Sequence, residues 1–175
     1  MTYIKGSKNL ITESHTIPAS FTIGFLGAGQ LAKMSAIEAY RLGIQVAAYT
    51  DRSSHEPMHY MSPMVINGSF EDVKAMTEFA QKCDVLTLEN EFIESSVLEQ
   101  VQINSGKPIY PSPEGFAKIE NKIVEKQCFE EAGIPVTPYK QIHGREDLKD
   151  FGHQYGWPFV LKSSKGGYDG YGNAN

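Results

Sequence analysis

At 175 residues the chain has room for one medium domain, or for a small domain with part of a second. Its 41% hydrophobic and 21% charged residues are those of an ordinary globular protein, and a net charge of −5 argues against a broad nucleic-acid or membrane surface. No apolar run approaches the roughly 20 residues needed to span a bilayer.

Residues 1–20 are mixed and polar, without the apolar centre of a secretory signal, and read as the N-terminal extension of a cytoplasmic protein. From residue 21 strands and helices alternate. FTIGFLG (21–27) is a short apolar run ending in glycine, the pattern of a buried parallel strand. In QLAKMSAIEAYRLG, Leu31, Met34, Ile37 and Leu42 recur at helical spacing, and Gly43 is placed to cap the end. IQVAAYT is a second strand, with Asp51 just past it, and SPMVINGS contains a third. FEDVKAMTEFAQKC reads as a helix with Phe70, Val73, Met76, Phe79 and Ala80 on one stripe. DVLTLE is a fourth strand, SSVLEQVQINSG a helix and KPIYP a fifth strand. This order predicts an α/β fold over 21–112, a doubly wound, mostly parallel, Rossmann-like sheet with functional loops at the strand C-termini.

The character changes after YPSPEG, and 113–175 reads as the start of a second domain. FAKIENKIVEKQCFEEAG is one amphipathic helical stretch, ended by Gly133, and Pro135 and Pro138 fix an extended exit. YKQI reads as a strand, REDLKDFGHQYG as a helix with Leu148 and Phe151 inward, and WPFVLK as a buried strand running into a glycine-rich loop. Cys83 and Cys128 lie far apart, outside any metal-ligand spacing, and read as buried free thiols of a reducing compartment.

Three places carry chemistry. GAGQL (27–31) joins the first strand to the first helix, where a tight glycine turn and free helical N–H groups suit an anion. Ala32 falls where a dinucleotide fingerprint has its third glycine, and Asp51 sits where a ribose-binding acid would. A nicotinamide-binding sheet therefore stays open as a reading, as does plain strand–helix packing by Gly27 and Gly29. Glu89 and Glu91 follow the fourth strand and share a face at period 2, placed to hold an amine, a ribose hydroxyl or a proton; Glu94 reads as a solvated loop acid. Lys162 precedes SSKGGYDGYG, whose glycines expose backbone N–H groups able to wrap phosphate oxygens. The segment does not match G-x-x-x-x-G-K-[ST], so it is not a P-loop.

These motifs carry a resemblance. GAGQLAKM, CDVLTLENE, NKIVEKQCFEEAGIP and VLKSSKGGYDGYGN occur in order over 21–173. They resemble the segments G-x-GQLgRM, cDvvTyE-x-E, DR-x-x-QK-x-F-x-x-x-GIP and vlKtr-x-GYDGkGQ of the N5-carboxyaminoimidazole ribonucleotide synthetases, ATP-grasp enzymes of purine biosynthesis. The resemblance implies a pre-ATP-grasp domain at 21–112 and the beginning of an ATP-grasp domain at 113–175. It implies ATP, bicarbonate and 5-aminoimidazole ribonucleotide as substrates, Mg²⁺ held by acids of the family's C-terminal part, and a homodimer, with residues 1–175 inactive alone.

By position, Lys162 is implied to contact ATP phosphate and purine, Lys122 to approach ATP, and Gly167, Tyr168, Asp169, Gly170, Tyr171, Gly172 and Asn173 to form the loop over the triphosphate. Tyr168, Asp169 and Glu89 would lie beside the aminoimidazole ribonucleotide, with Gly29, Gln30 and Leu31 near it. Lys33 and Lys122 replace arginines and lose the bidentate fork, and Tyr171 stands where the family has Arg or Lys, a place Lys165 is expected to fill as a catalytic cation. Another ATP-grasp ligase with a different amine acceptor, and a nucleotide-binding module without turnover, are the alternatives.

Overall fold

The computed structural model describes residues 20–52, 55–89 and 91–165, and the backbone of 173–174. Alternating apolar segments give β1 (Thr22–Leu26), α1 (Gln30–Arg41), β2 (Gln45–Thr50), a short 3-10 helix (Pro57–Tyr60), β3 (Val65–Asn67), α2 (Val73–Ala80), β4 (Val85–Leu88), α3 (Ser95–Ser105) and β5 (Ile109–Tyr110). The five strands form one all-parallel sheet in the order β3-β2-β1-β4-β5.

Alternation along each strand divides the core between two faces. Phe25, Val46 and Ala48 point to the α1 side, where Ala32, Ala36, Ala39 and Met58 meet them. Leu26, Tyr49 and Leu86 point to the other side, against Met76 and Phe79 of α2 and Leu98 and Val101 of α3. Cys83 belongs to this second face; burial pushes its thiol up to about 12, so it is a packed, unreactive group. Cys128 is only half-buried, and both thiols are free.

The first helix turns differently from the expectation. Leu31, Met34, Ile37 and Leu42 are exposed, and the alanines face the sheet. Methyl-sized side chains let α1 lie close on the strands, which the longer residues on the other stripe would prevent.

Beyond β5 come α4 (Pro113–Ala117), α5 (Lys122–Glu131), α6 (Arg145–Tyr155), β6 (Leu161–Lys162) and β7 (Asn173–Ala174). Phe116 of α4 is buried in the second face of the sheet core. The stretch expected as one helix is broken at 118–121, because the Asn121 side chain accepts the Ile123 N–H at 2.9 Å and starts α5 afresh. YKQI forms no strand: its segment pairs with no ladder among the described residues, and a strand exists only through a partner. The strand expected from WPFVLK is reduced to Leu161 and Lys162, paired antiparallel with Ala174 and Asn173, and both are exposed, not buried. Phe151 of α6 packs on Tyr155 and Phe159, with Trp157 on Phe159.

Candidate functional site

The C-terminal end of β1 is stitched to both neighbours. Gly27 N–H donates to the Tyr49 carbonyl at 2.8 Å, and Glu89 N–H donates to the Leu26 carbonyl at 3.0 Å. Gly27 has φ 118°, a conformation open to glycine and costly for any other residue. The chain leaves β1 toward α1 on one face and leaves β4 toward α3 on the other. A crevice must open at such a switch point. Here it is a cavity of about 480 Å³, within the range of roughly 300–1,000 Å³ typical of small-ligand sites.

Its walls come from three loops and from Phe70, which follows β3. The first supplies Gly29, Gln30 and Leu31; the second Asp51, Arg52 and Glu56; the third Glu89, Glu91 and Phe92. Gly29 N–H donates to Glu89 Oε2 at 3.0 Å, which ties the first loop to the third. A Cβ at Gly29 would collide with that carboxylate. On the second loop Thr50 Oγ1 donates to Glu56 Oε2 at 2.5 Å, and Arg52 Nε lies 3.9 Å from Glu56 Oε1. The lining therefore holds four carboxylates, Asp51, Glu56, Glu89 and Glu91, against one guanidinium. Such a wall accepts hydrogen bonds and suits hydroxyl and amine groups. The four residues expected to contact a ribonucleotide, Gly29, Gln30, Leu31 and Glu89, all line this one cavity, and Asp51 and Glu91 join them.

The second group of expected residues lies around the glycine-rich segment. Lys122 opens α5, and its N–H donates to the Ser164 carbonyl at 2.8 Å. Lys162 is exposed on β6, opposite Asn173 on β7. Gly167, Tyr168, Asp169, Gly170, Tyr171 and Gly172 lie outside the described residues, as does the side chain of Asn173. Lys165 is engaged: its Nζ donates to Glu94 Oε2 at 2.7 Å and to Glu120 Oε1 at 3.2 Å. Glu94 is thus an ion-pair partner, not a simply solvated acid, and Glu120 went unremarked in the sequence. No local pattern announces either, because 71 and 45 residues separate them from Lys165.

The Glu120 side chain is 13% exposed, and its Oε2 accepts Ser95 N–H at 3.0 Å. Burial alone would raise its carboxyl; the Ser95 N–H and the Lys165 ammonium prevail and hold it below the ordinary glutamate value. A depressed folded value gives stability that is present above the ordinary carboxylate range and lost as pH falls through the folded one. The stability gap between wild type and Glu120→Gln, measured by urea unfolding, should be widest near about pH 7 and close toward about pH 3. A gap that widens in acid would contradict this assignment.

A family model for the ribonucleotide synthetase preATP-grasp domain matches residues 20–120. The chain belongs to this family. A model for the ATP-grasp domain matches residues 127–175 of this preATP-grasp chain. A phosphoribosylaminoimidazole carboxylase of Ogataea methanolica is 38% identical over 157 residues, covering 88% of the chain and 29% of the relative. The solved N5-carboxyaminoimidazole synthetase of Staphylococcus aureus complexed with ADP superposes with a TM-score of 0.80 at 31% identity, covering 88% of the chain and 41% of that structure. The Aspergillus clavatus N5-carboxyaminoimidazole synthase, solved with ADP and 5-aminoimidazole ribonucleotide, gives 0.77 at 31% identity, covering 89% and 40%. The preATP-grasp chain therefore spans well under half the length of these relatives. Among the described residues no helix is long and apolar enough to cross a membrane.

Proposed function

We propose that this chain provides the ribonucleotide pocket and the first part of the ATP site of a ligase that carboxylates 5-aminoimidazole ribonucleotide. The cavity at the β1/β4 switch point carries the reading, because its acid-rich wall, set by Glu89 on Gly29, suits an aminated ribonucleoside. A family relative bound to ADP and this same ribonucleotide supports it.

In the proposed reaction bicarbonate oxygen attacks the γ-phosphorus of ATP, ADP leaves, and carboxyphosphate forms. The exocyclic amine then attacks the carboxyl carbon, phosphate leaves, and the nitrogen loses a proton. Gly29, Gln30, Leu31 and Glu89 would seat the ribonucleotide, with Glu89 accepting a hydrogen bond from its amine or sugar. Lys122, Lys162 and Gly167 through Asn173 would surround ATP, and Tyr168, Asp169 and Lys165 would stand nearest the acyl phosphate. Cations and N–H groups there offset the charge on the transferring phosphoryl. Among the described residues no group of three His, Cys, Asp or Glu side chains is placed to hold a metal. A dimer of the complete enzyme belongs to the same proposal.

The test is an amide-resolved titration of the 175-residue chain. 5-Aminoimidazole ribonucleotide should shift the Gly29, Gln30, Leu31 and Glu89 amides. No shift there would remove this ribonucleotide and leave a different amine acceptor. In a full-length version, Lys162→Ala should weaken ATP binding by about 1.5–3 kcal/mol, or roughly 10- to 150-fold, the worth of a charge-assisted phosphate contact. Calorimetric affinity equal to wild type would take Lys162 out of the site.

A further inference from the structure

The residues just before the glycine-rich segment are tied to two distant parts of the chain. Lys165 Nζ reaches Glu94 at 2.7 Å and Glu120 at 3.2 Å. The other oxygen of Glu120 holds Ser95 N–H, the first amide of α3. One residue back, the Ser164 carbonyl accepts Lys122 N–H, and Asn121 pairs with Lys165 in an antiparallel bridge. The links close a ring over the start of α3, the α4–α5 connection and the root of the loop.

An exposed ion pair alone contributes little, about 0–1 kcal/mol, because two long side chains must be ordered for one contact. This cluster is built differently. One acid is largely buried and already fixed by a backbone N–H, so the lysine is ordered once for two contacts. Past Lys165 the chain carries glycine at 166, 167, 170 and 172, expensive in conformational entropy to place. The segment from Glu89 to Glu94 also has two anchorages: Glu89 takes Gly29 N–H in the cavity, and Glu94 takes Lys165.

We propose that Glu94 and Glu120 are positioning residues that hold Lys165, fix the root of the glycine loop against the start of α3, and so keep it in register with the ribonucleotide cavity. The inference rests on the nucleotide reading of that loop.

Backbone hydrogen exchange of the 175-residue chain tests it, in wild type, Lys165→Met, Lys165→Arg, Glu94→Gln and Glu120→Gln. Lys165→Met and Glu120→Gln should speed exchange at Ser95 and Lys122 by roughly tenfold or more, with Leu26 and Leu86 unchanged. Glu94→Gln should act in the same direction more weakly, and Lys165→Arg should keep the wild-type rates. Wild-type rates at both amides in Lys165→Met would overturn the proposal. In a longer chain carrying the whole ATP-grasp domain, ATP affinity should fall roughly fivefold in Glu120→Gln, whose side chain is placed against Lys165 and Ser95 and not against ATP, a change that a merely structural pair would not produce. The two readings fail separately: absence of ATP-induced shifts at Lys162 in a longer chain carrying the whole ATP-grasp domain overturns the nucleotide assignment, while unchanged exchange in the 175-residue chain overturns the positioning role.

Discussion

Glu89→Ala is expected to lower the affinity for 5-aminoimidazole ribonucleotide by about 3 kcal/mol, roughly 150-fold, while the fold survives. Two losses combine. The proposed charge-assisted bond to the ligand disappears, and Gly29 N–H loses its acceptor beside the cavity. The backbone is spared, because Glu89 N–H keeps its bond to the Leu26 carbonyl whatever the side chain. Glu89→Gln should fall between: the amide oxygen can still take the Gly29 N–H, without the charge. Calorimetric titration of the three proteins, with circular dichroism as a check on folding, reads both quantities. Equal affinity in all three would mean that the ribonucleotide does not meet Glu89.

Phe79→Ala is expected to cost about 3–5 kcal/mol of stability, a large share of the roughly 5–15 kcal/mol that holds a domain folded. Phe79 is fully buried at the centre of the second core face, with the Tyr49 ring 5.6 Å away. Its ring also abuts the space over Gly24, where an added Cβ would crowd Leu86, Cys83 and Phe79 together. Neighbours on α2 and the sheet are locked in place, so a cavity left by the ring would close only in part. The urea midpoint should drop sharply with an unchanged slope. A loss under about 1 kcal/mol would mean that this face is loosely packed.

The sheet was legible because its signal is local. Runs such as FTIGFLG and DVLTLE are apolar, short and bounded, and the helices between them repeat at helical spacing. The cavity followed from the winding, which fixes where loops collect. Which stripe of a helix faces inward was less legible. α1 carries two apolar stripes, and the small one won because closeness to the sheet outweighs side-chain size. The break at Asn121 was readable in principle, since Asn before a Lys–Ile–Val run is an N-cap pattern, but the charged residues around it keep a helical period. The grouping of Lys165, Glu94 and Glu120 was not readable at all. Ion pairs across 71 and 45 residues leave no trace in a single sequence.

At the mouth of α1 the Glu89 carboxylate acts as a tethered counter-ion. In dinucleotide-binding sheets wound the same way, that mouth holds a pyrophosphate on free N–H groups. Here the Gly29 N–H is already spoken for by a negative charge the protein carries itself. A phosphate arriving at about 4 Å would meet a repulsion of about 4 kcal/mol at an effective dielectric of about 20. One side chain from the end of β4 thus inverts the polarity of a shared architecture, placing a hydrogen-bond acceptor where such sheets offer donors. Under the proposed function, a ribonucleotide would turn its phosphate away from α1 and present its amine or sugar hydroxyls to it.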